Sequence, residues 1–160
     1  MDHNKNLSEL FSKVPEVTLL FWIIKIAATT LGETAGDALS MSLNLGYLLS
    51  TCIFSFIFIG FASIQIKAKA FKPFLYWATI ISTTTLGTTI ADFVDRSLGI
   101  GYFGGSIILL ILLVCSLAIW FYTCGNIAVT SIQTPKTEAF YWLTIMFSQT
   151  LGTALGDWTA

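Results

Sequence analysis

Residues 21–37 read FWIIKIAATTLGETAGD, residues 76–92 read YWATIISTTTLGTTIAD, and residues 141–157 read YWLTIMFSQTLGTALGD. Each fits the pattern aromatic-Trp-x7-Thr-Leu-Gly-x4-Asp, and successive copies begin 55 and 65 residues apart. Self-similarity at this spacing marks a repeated supersecondary unit. Each copy lies in one of five apolar segments, at Val17 to Ser40, Leu45 to Ile66, Phe74 to Asp92, Tyr102 to Tyr122 and Ala139 to Trp158. A helix needs ~20 residues, rising ~1.5 Å each, to cross a ~30 Å hydrocarbon core, and each segment is long enough. The motif falls on the first, third and fifth. The second and fourth carry no charge over Cys52 to Ala62 and Ile107 to Phe121.

Nine residues beyond Asp37 and Asp92 stand Gly46-Tyr47 and Gly101-Tyr102, each opening the next apolar segment. The repeat is therefore read as a helical hairpin: a polar-faced motif helix, a short loop, Gly-Tyr, and a purely apolar return helix. With two helices per unit, successive copies have the same orientation, a parallel repeat. The expected fold is an all-α membrane bundle of five spans. A tail over residues 1–16 precedes a membrane domain over 17–160, with repeats at 17–66, 74–123 and, in part, 139–160. A third copy without its return helix suggests a partial array, or a protomer that another chain completes as a homo-oligomer.

Composition agrees with a lipid solvent. Of 160 residues, 55% are hydrophobic and 11% charged, against roughly 25% charged in soluble domains. Seven Lys and one Arg, with net charge −1, provide no basic surface for nucleic acid. Lys5, Lys13, Lys67, Lys69, Lys72 and Lys136 all fall on one side of a five-span topology, and Arg96 on the other. The positive-inside rule then puts the N-terminus in the cytoplasm, in a cytoplasmic (inner) membrane. A cleaved signal peptide is excluded because no A-x-A-like site follows Ala28 and the same segment recurs twice downstream. Trp and Tyr at the motif-helix starts are expected as an aromatic belt.

The segments FWIIKIAATTLGETAGDALSMSLNLGY, LYWATIISTTTLGTTIADFVDRSLGIGYFGG and FYWLTIMFSQTLGTALGDWTA resemble the bacterial multi-pass membrane proteins catalogued as a repeat of unknown function. The resemblance covers nearly the whole chain. It implies a membrane fold and four such copies, of which this chain has two and part of a third, and it implies no activity.

Acids inside spans are the candidate site. Glu33 and Asp37 are four apart and share a helix face with Thr30, beside Gly32 and Gly36 at small-xxx-small spacing. Thr88 and Asp92 take the equivalent places in copy two, and Thr153 and Asp157 in copy three. Asp37 lies ~22 Å along the axis from Trp22, deep enough that an ionised carboxylate costs several kcal/mol against lipid. Glu33, Asp37, Asp92 and Asp157 are expected to converge, with the Thr30, Thr85 and Thr150 hydroxyls below them. Gly32, Gly36, Gly87, Gly152 and Gly156 are expected at helix contacts. An oxygen-only set suits a proton or a hard cation such as Mg, Ca, Mn or Na. The alternative is structural: each Asp caps the helix after the loop in a membrane scaffold. Lys25 is expected to snorkel or to neutralise a carboxylate, and Asp95 with Arg96 to form a surface ion pair.

No catalytic residue and no cofactor is expected. His3 is the only histidine, and Cys52, Cys115 and Cys124 are unpaired, far apart and read as buried thiols. Gly99 to Gly104 matches GxGxxG, but no strand precedes it and no acid follows ~20 residues on, so helix packing through Gly101 and Gly105 is expected instead. A GxGD-type aspartyl protease is the enzyme reading most worth naming, but Thr34, Ala91 and Ala154 stand where its glycines are needed and count against it.

Overall fold

The computed structural model describes residues 13–127, 132 and 134–160. Most of the predicted tail, with Lys5 and His3, lies outside them. Among the described residues are five long helices and no strand: α1 (Leu19–Asp37), α2 (Tyr47–Lys67), α3 (Pro73–Asp92), α4 (Gly101–Cys124) and α5 (Pro135–Thr159). The predicted all-α class and hairpin order are borne out. Thr18 starts α1 by accepting from the Phe21 N–H at 3.2 Å, and Thr134 forms a reciprocal capping box with Thr137 at the start of α5.

The repeat extends into the backbone. α1 and α3 each run on into one π-helical turn, Ala38–Ser42 and Phe93–Ser97, at matching repeat positions. π turns are rare, so the recurrence is specific. In the loops that follow, Asn44 (φ 53) matches Gly99 (φ 66), and Gly46 (φ 76) matches Gly101 (φ 79). Left-handed backbone favours Gly and tolerates Asn. Gly101 thus serves conformation rather than the predicted packing, since open space surrounds it, while Gly105 does pack, against Asp95.

Among the described residues, three segments are long and apolar enough to cross a membrane: Leu19–Ser42, α2 and α4. α3 and α5 match them in length but are more polar. For α3 the reason is its position, between α1, α2 and α5, with thirteen of its 20 residues buried. A helix screened from lipid by other helices need not be apolar if its hydroxyls are satisfied. Thr79, Thr83 and Thr85 donate to the backbone carbonyls of Leu75, Ile80 and Ile81.

α1, α3 and α5 run parallel. The Phe21 and Trp77 rings meet at one end of α1 and α3, with centroids 5.5 Å apart, and Gly36 faces Thr88 near the other. Between α3 and α5, residues meet their own repeat equivalents. The Tyr76 and Tyr141 hydroxyls are 2.9 Å apart, Gln149 Nε2 donates to Thr84 Oγ1 at 3.1 Å, and the Thr88 and Thr153 hydroxyls are 3.4 Å apart. The bundle therefore has a Trp end and an Asp end. Of the six motif aromatics at the Trp end only Trp22 is well exposed, whereas Tyr76, Tyr141 and Trp142 are buried. The aromatic motif pair is mainly core rather than the predicted belt, because α3 and α5 turn it toward each other. The cysteines also depart from expectation: Cys52 and Cys115 are exposed and Cys124 partly so, on the outward faces of the return helices.

Lys13, predicted as a flanking charge, is buried. Its Nζ donates to Glu138 Oε2 at 2.7 Å and to the Ile66 carbonyl at 3.0 Å. The segment before α1 is thereby tied across the end where α2 stops and α5 begins, the end that also carries Lys67 and Lys136. Removing one member of a buried pair strands the other charge. Lys13→Met should destabilise the protein by about 3 kcal/mol in detergent melts, and adding Glu138→Gln should recover most of the loss. A Cβ at Gly87 would lie 2.9 Å from the Thr150 backbone nitrogen. Gly87→Val should accordingly cost about 3 kcal/mol or prevent folding, read as loss of the melting transition.

Candidate functional site

Asp37 and Asp92 are the last residues of α1 and α3, and Asp157 lies in the last turn of α5. Parallel packing carries all three to the same end. There a cavity of about 290 Å³ is lined by Glu33, Asp37, Asp92 and Asp157, by Thr88 and Thr153, and by Arg96, Met41, Gly152, Gly156 and Ala160. The volume holds several waters at ~30 Å³ each. All four predicted carboxylates line one cavity, and four carboxylates facing one guanidinium leave it net anionic.

The predicted threonines are not the ones present. Thr85 and Thr150 are buried and donate to the carbonyls of Ile81 and Met146, and Thr30 is exposed. None of the three lines the cavity. A hydroxyl one turn before Asp92 and Asp157, not two, reaches the cavity wall; it belongs to Thr88 and Thr153, the repeat equivalents of Glu33. The glycines divide as well. Gly32 packs on Thr84, Gly36 on Thr88 and Gly87 on Thr150, but nothing lies within 4 Å of a Cβ built at Gly152 or Gly156. Those two form cavity wall rather than the predicted helix contact.

The residue that sequence reasoning missed is Arg96. Its Nε lies 3.1 Å from Asp92 Oδ1 and its Nη2 3.5 Å from Asp157 Oδ2, so it bridges α3 to α5 instead of pairing with Asp95. Its Nη1 donates to the Tyr47 hydroxyl at 3.2 Å, and its guanidinium carbon sits 5.9 Å and 6.0 Å from the Tyr47 and Tyr102 ring centroids. Those tyrosines are the two copies of Gly-Tyr. The available signal was the i,i+4 spacing from Asp92. Asp95 is buried against Gly105, its two oxygens without a hydrogen-bond partner.

The capping alternative fails for the two helices it concerned. α2 and α4 start at Gly46 and Ile100 with no side-chain cap, because the π turns and loops hold Asp37 and Asp92 away from those starts. Lys25 takes part in none of the ion pairs among the described residues. Nor do three carboxylates there approach closely enough to chelate one metal ion. The predicted convergence is to a shared cavity, not to a coordination sphere.

The family model described as Repeat of Unknown Function (DUF347) matches residues 20–71 and 75–126. The chain belongs to this family. The two DUF347 matches coincide with the first two hairpins, each comprising a motif helix, its π turn, the Gly-Tyr loop and a return helix; the α5 copy lies beyond them. No curated protein and no solved structure matches the chain.

Arg96→Gln should leave Asp92, only 2% exposed, without its counter-charge and lower stability by about 2 kcal/mol. In the Arg96→Gln/Asp92→Asn double variant the loss should be partly recovered, with a coupling energy of about 1–2 kcal/mol in a thermal double-mutant cycle.

Proposed function

We propose that this membrane protein moves protons or a small hard cation across the bilayer through the anionic cavity, with its N-terminus and Trp end in the cytoplasm. The observation that carries this reading is the division of labour among the four acids. Arg96 holds Asp92 and Asp157, while Glu33 and Asp37 line the same cavity without an ion pair among the described residues. Free carboxylates within a membrane-spanning helix are expensive unless they meet water, a proton or a cation. The spread of the oxygens around a cavity favours a proton or a cation that keeps its water over a dehydrated divalent ion, which takes six or more close oxygens. The five described lysines of the Trp-end segments, Lys13, Lys67, Lys69, Lys72 and Lys136, support the orientation.

A second reading has its own observation. The Arg96 bridge between α3 and α5 is a structural clamp, and it favours a non-transporting membrane scaffold. The two differ in what Glu33 does. In proteoliposomes loaded with a pH-sensitive dye, or with Na or Mg indicators, the protein should carry a flux that Glu33→Gln and Asp37→Asn each cut by about tenfold or more. Their melting temperatures should stay close to that of the wild type. No flux above protein-free vesicles, or flux indifferent to both substitutions, would leave the scaffold reading standing.

A further inference from the structure

Among the described residues three acids are buried: Asp92, Asp95 and Glu138. Arg96 answers the first and Lys13 the third. Asp95, on the π turn that ends α3, is only 5% exposed, and neither of its carboxylate oxygens has a hydrogen-bond partner. Its Oδ1 lies so close to Gly105 of α4 that a Cβ there would overlap it.

The first copy of the repeat shows what this place otherwise holds. Ser40 and Ser50 stand 55 residues before Asp95 and Gly105, and all four are buried. A larger side chain on the π turn is thus matched by the loss of one on the return helix, so copy two has room for an acid where copy one has a hydroxyl. Ser40 Oγ donates to the Gly36 carbonyl at 2.8 Å. Ala91 stands in copy two where Gly36 does in copy one, and its carbonyl is the equivalent acceptor. A protonated carboxyl has an O–H to donate, as serine does, whereas an ionised one only accepts. A buried carboxylate with no donor takes up a proton rather than keep its charge.

The surroundings favour the proton as well. α2 and α4 pack on the turn and carry no charge except Lys67 at the opposite end; their titratable groups on this side are Tyr47, Cys52 and Tyr102. Asp92 of α3 and Asp157 of α5 add negative charge, and Arg96 is already engaged with both. Asp95 lies three residues beyond the end of its span. Burial, then the charge of Asp157, push its carboxyl from 3.8 up to about 6, against the pull of Arg96. π turns are frequent at functional sites.

We infer that Asp95 is a proton-binding site whose O–H, in this conformation, donates to the Ala91 carbonyl. When that O–H bond breaks and the proton leaves to water, the carboxylate turns off Gly105 toward water or Arg96. Arg96 is the next residue on the same turn, so proton release loosens the clamp between α3 and α5. Proton binding at Asp95 is independent of whether the cavity carries ions, and it is read without flux.

Infrared difference spectra of the wild type against Asp95→Asn in detergent, at about pH 5, should contain the C=O stretch of a protonated carboxyl. The unfolded chain ionises Asp95 near 3.8 and the folded one near 6, so the fold holds the extra proton and loses stability as pH rises between these values. From about pH 4 to about pH 7 the wild type should therefore lose more melting temperature than Asp95→Asn, the other acids being common to both. Should Asp95→Asn not fold, Asp95→Ser/Gly105→Ser, which copies the Ser40 and Ser50 arrangement, replaces it in every measurement. Ser106 is buried beside Gly105. With Cys52, Cys115 and Cys124 changed to Ala, Ser106→Cys should react with a water-soluble methanethiosulfonate several-fold faster at about pH 8 when Asp95 is retained than in Asp95→Asn. Absence of a carboxyl band that Asp95→Asn removes, equal pH slopes in wild type and variant, or equal reactivity of the cysteine would overturn the inference.

Discussion

Gly87 approaches the Thr150 backbone so closely that no side chain fits between α3 and α5, and Gly32 approaches Thr84 of α3 in the same way. The rest of the molecule depends on these close approaches. They hold three motif helices parallel and in register, so that Tyr76 meets Tyr141 at one end and Arg96 reaches both Asp92 and Asp157 at the other. In lipid no hydrophobic force drives helices together, and contact at small residues takes its place.

The seam between α3 and α5 follows from repetition. Two parallel copies of one helix that meet on the same face bring equivalent residues opposite each other, as in a parallel coiled coil. Here this yields Tyr opposite Tyr, Thr opposite Gln and Thr opposite Thr, pairs that satisfy one another. It would also place Asp92 opposite Asp157, two like charges. Arg96 resolves that conflict, and the two Gly-Tyr tyrosines flank its guanidinium. The conflict has a parallel at the other end, where Glu138 is buried and Lys13 answers it.

Part of this was legible in the chain and part was not. The motif spacing, the hairpin order and the side of the bundle on which Asp37, Asp92 and Asp157 fall were readable, because helix period and segment length are local properties. The role of the threonines was misread by one turn: Thr30, Thr85 and Thr150 are the more regular in sequence, but the cavity wall is set by where helices cross. The small residues Gly32/Gly36, Gly87/Ala91 and Gly152/Gly156 looked alike in the three copies, yet among the described residues only the first two sets have a neighbour to pack on. The Trp-bearing starts looked like an interface belt because composition cannot tell a residue facing lipid from one facing another helix.

The sequence by itself determined that this is a repeated helical membrane protein with acids placed at one recurring position. It did so because the hydrophobic run and the repeat are written along the chain. Only the tertiary structure decided that Arg96 bridges two copies, that Lys13 is buried on Glu138, and that Glu33 and Asp37 are left without an ion pair in the cavity. Those outcomes depend on which charges meet across the fold, Arg96 with Asp157 and Lys13 with Glu138, the latter 125 residues apart. Burial makes each meeting costly to leave unpaired, and no local pattern specifies it.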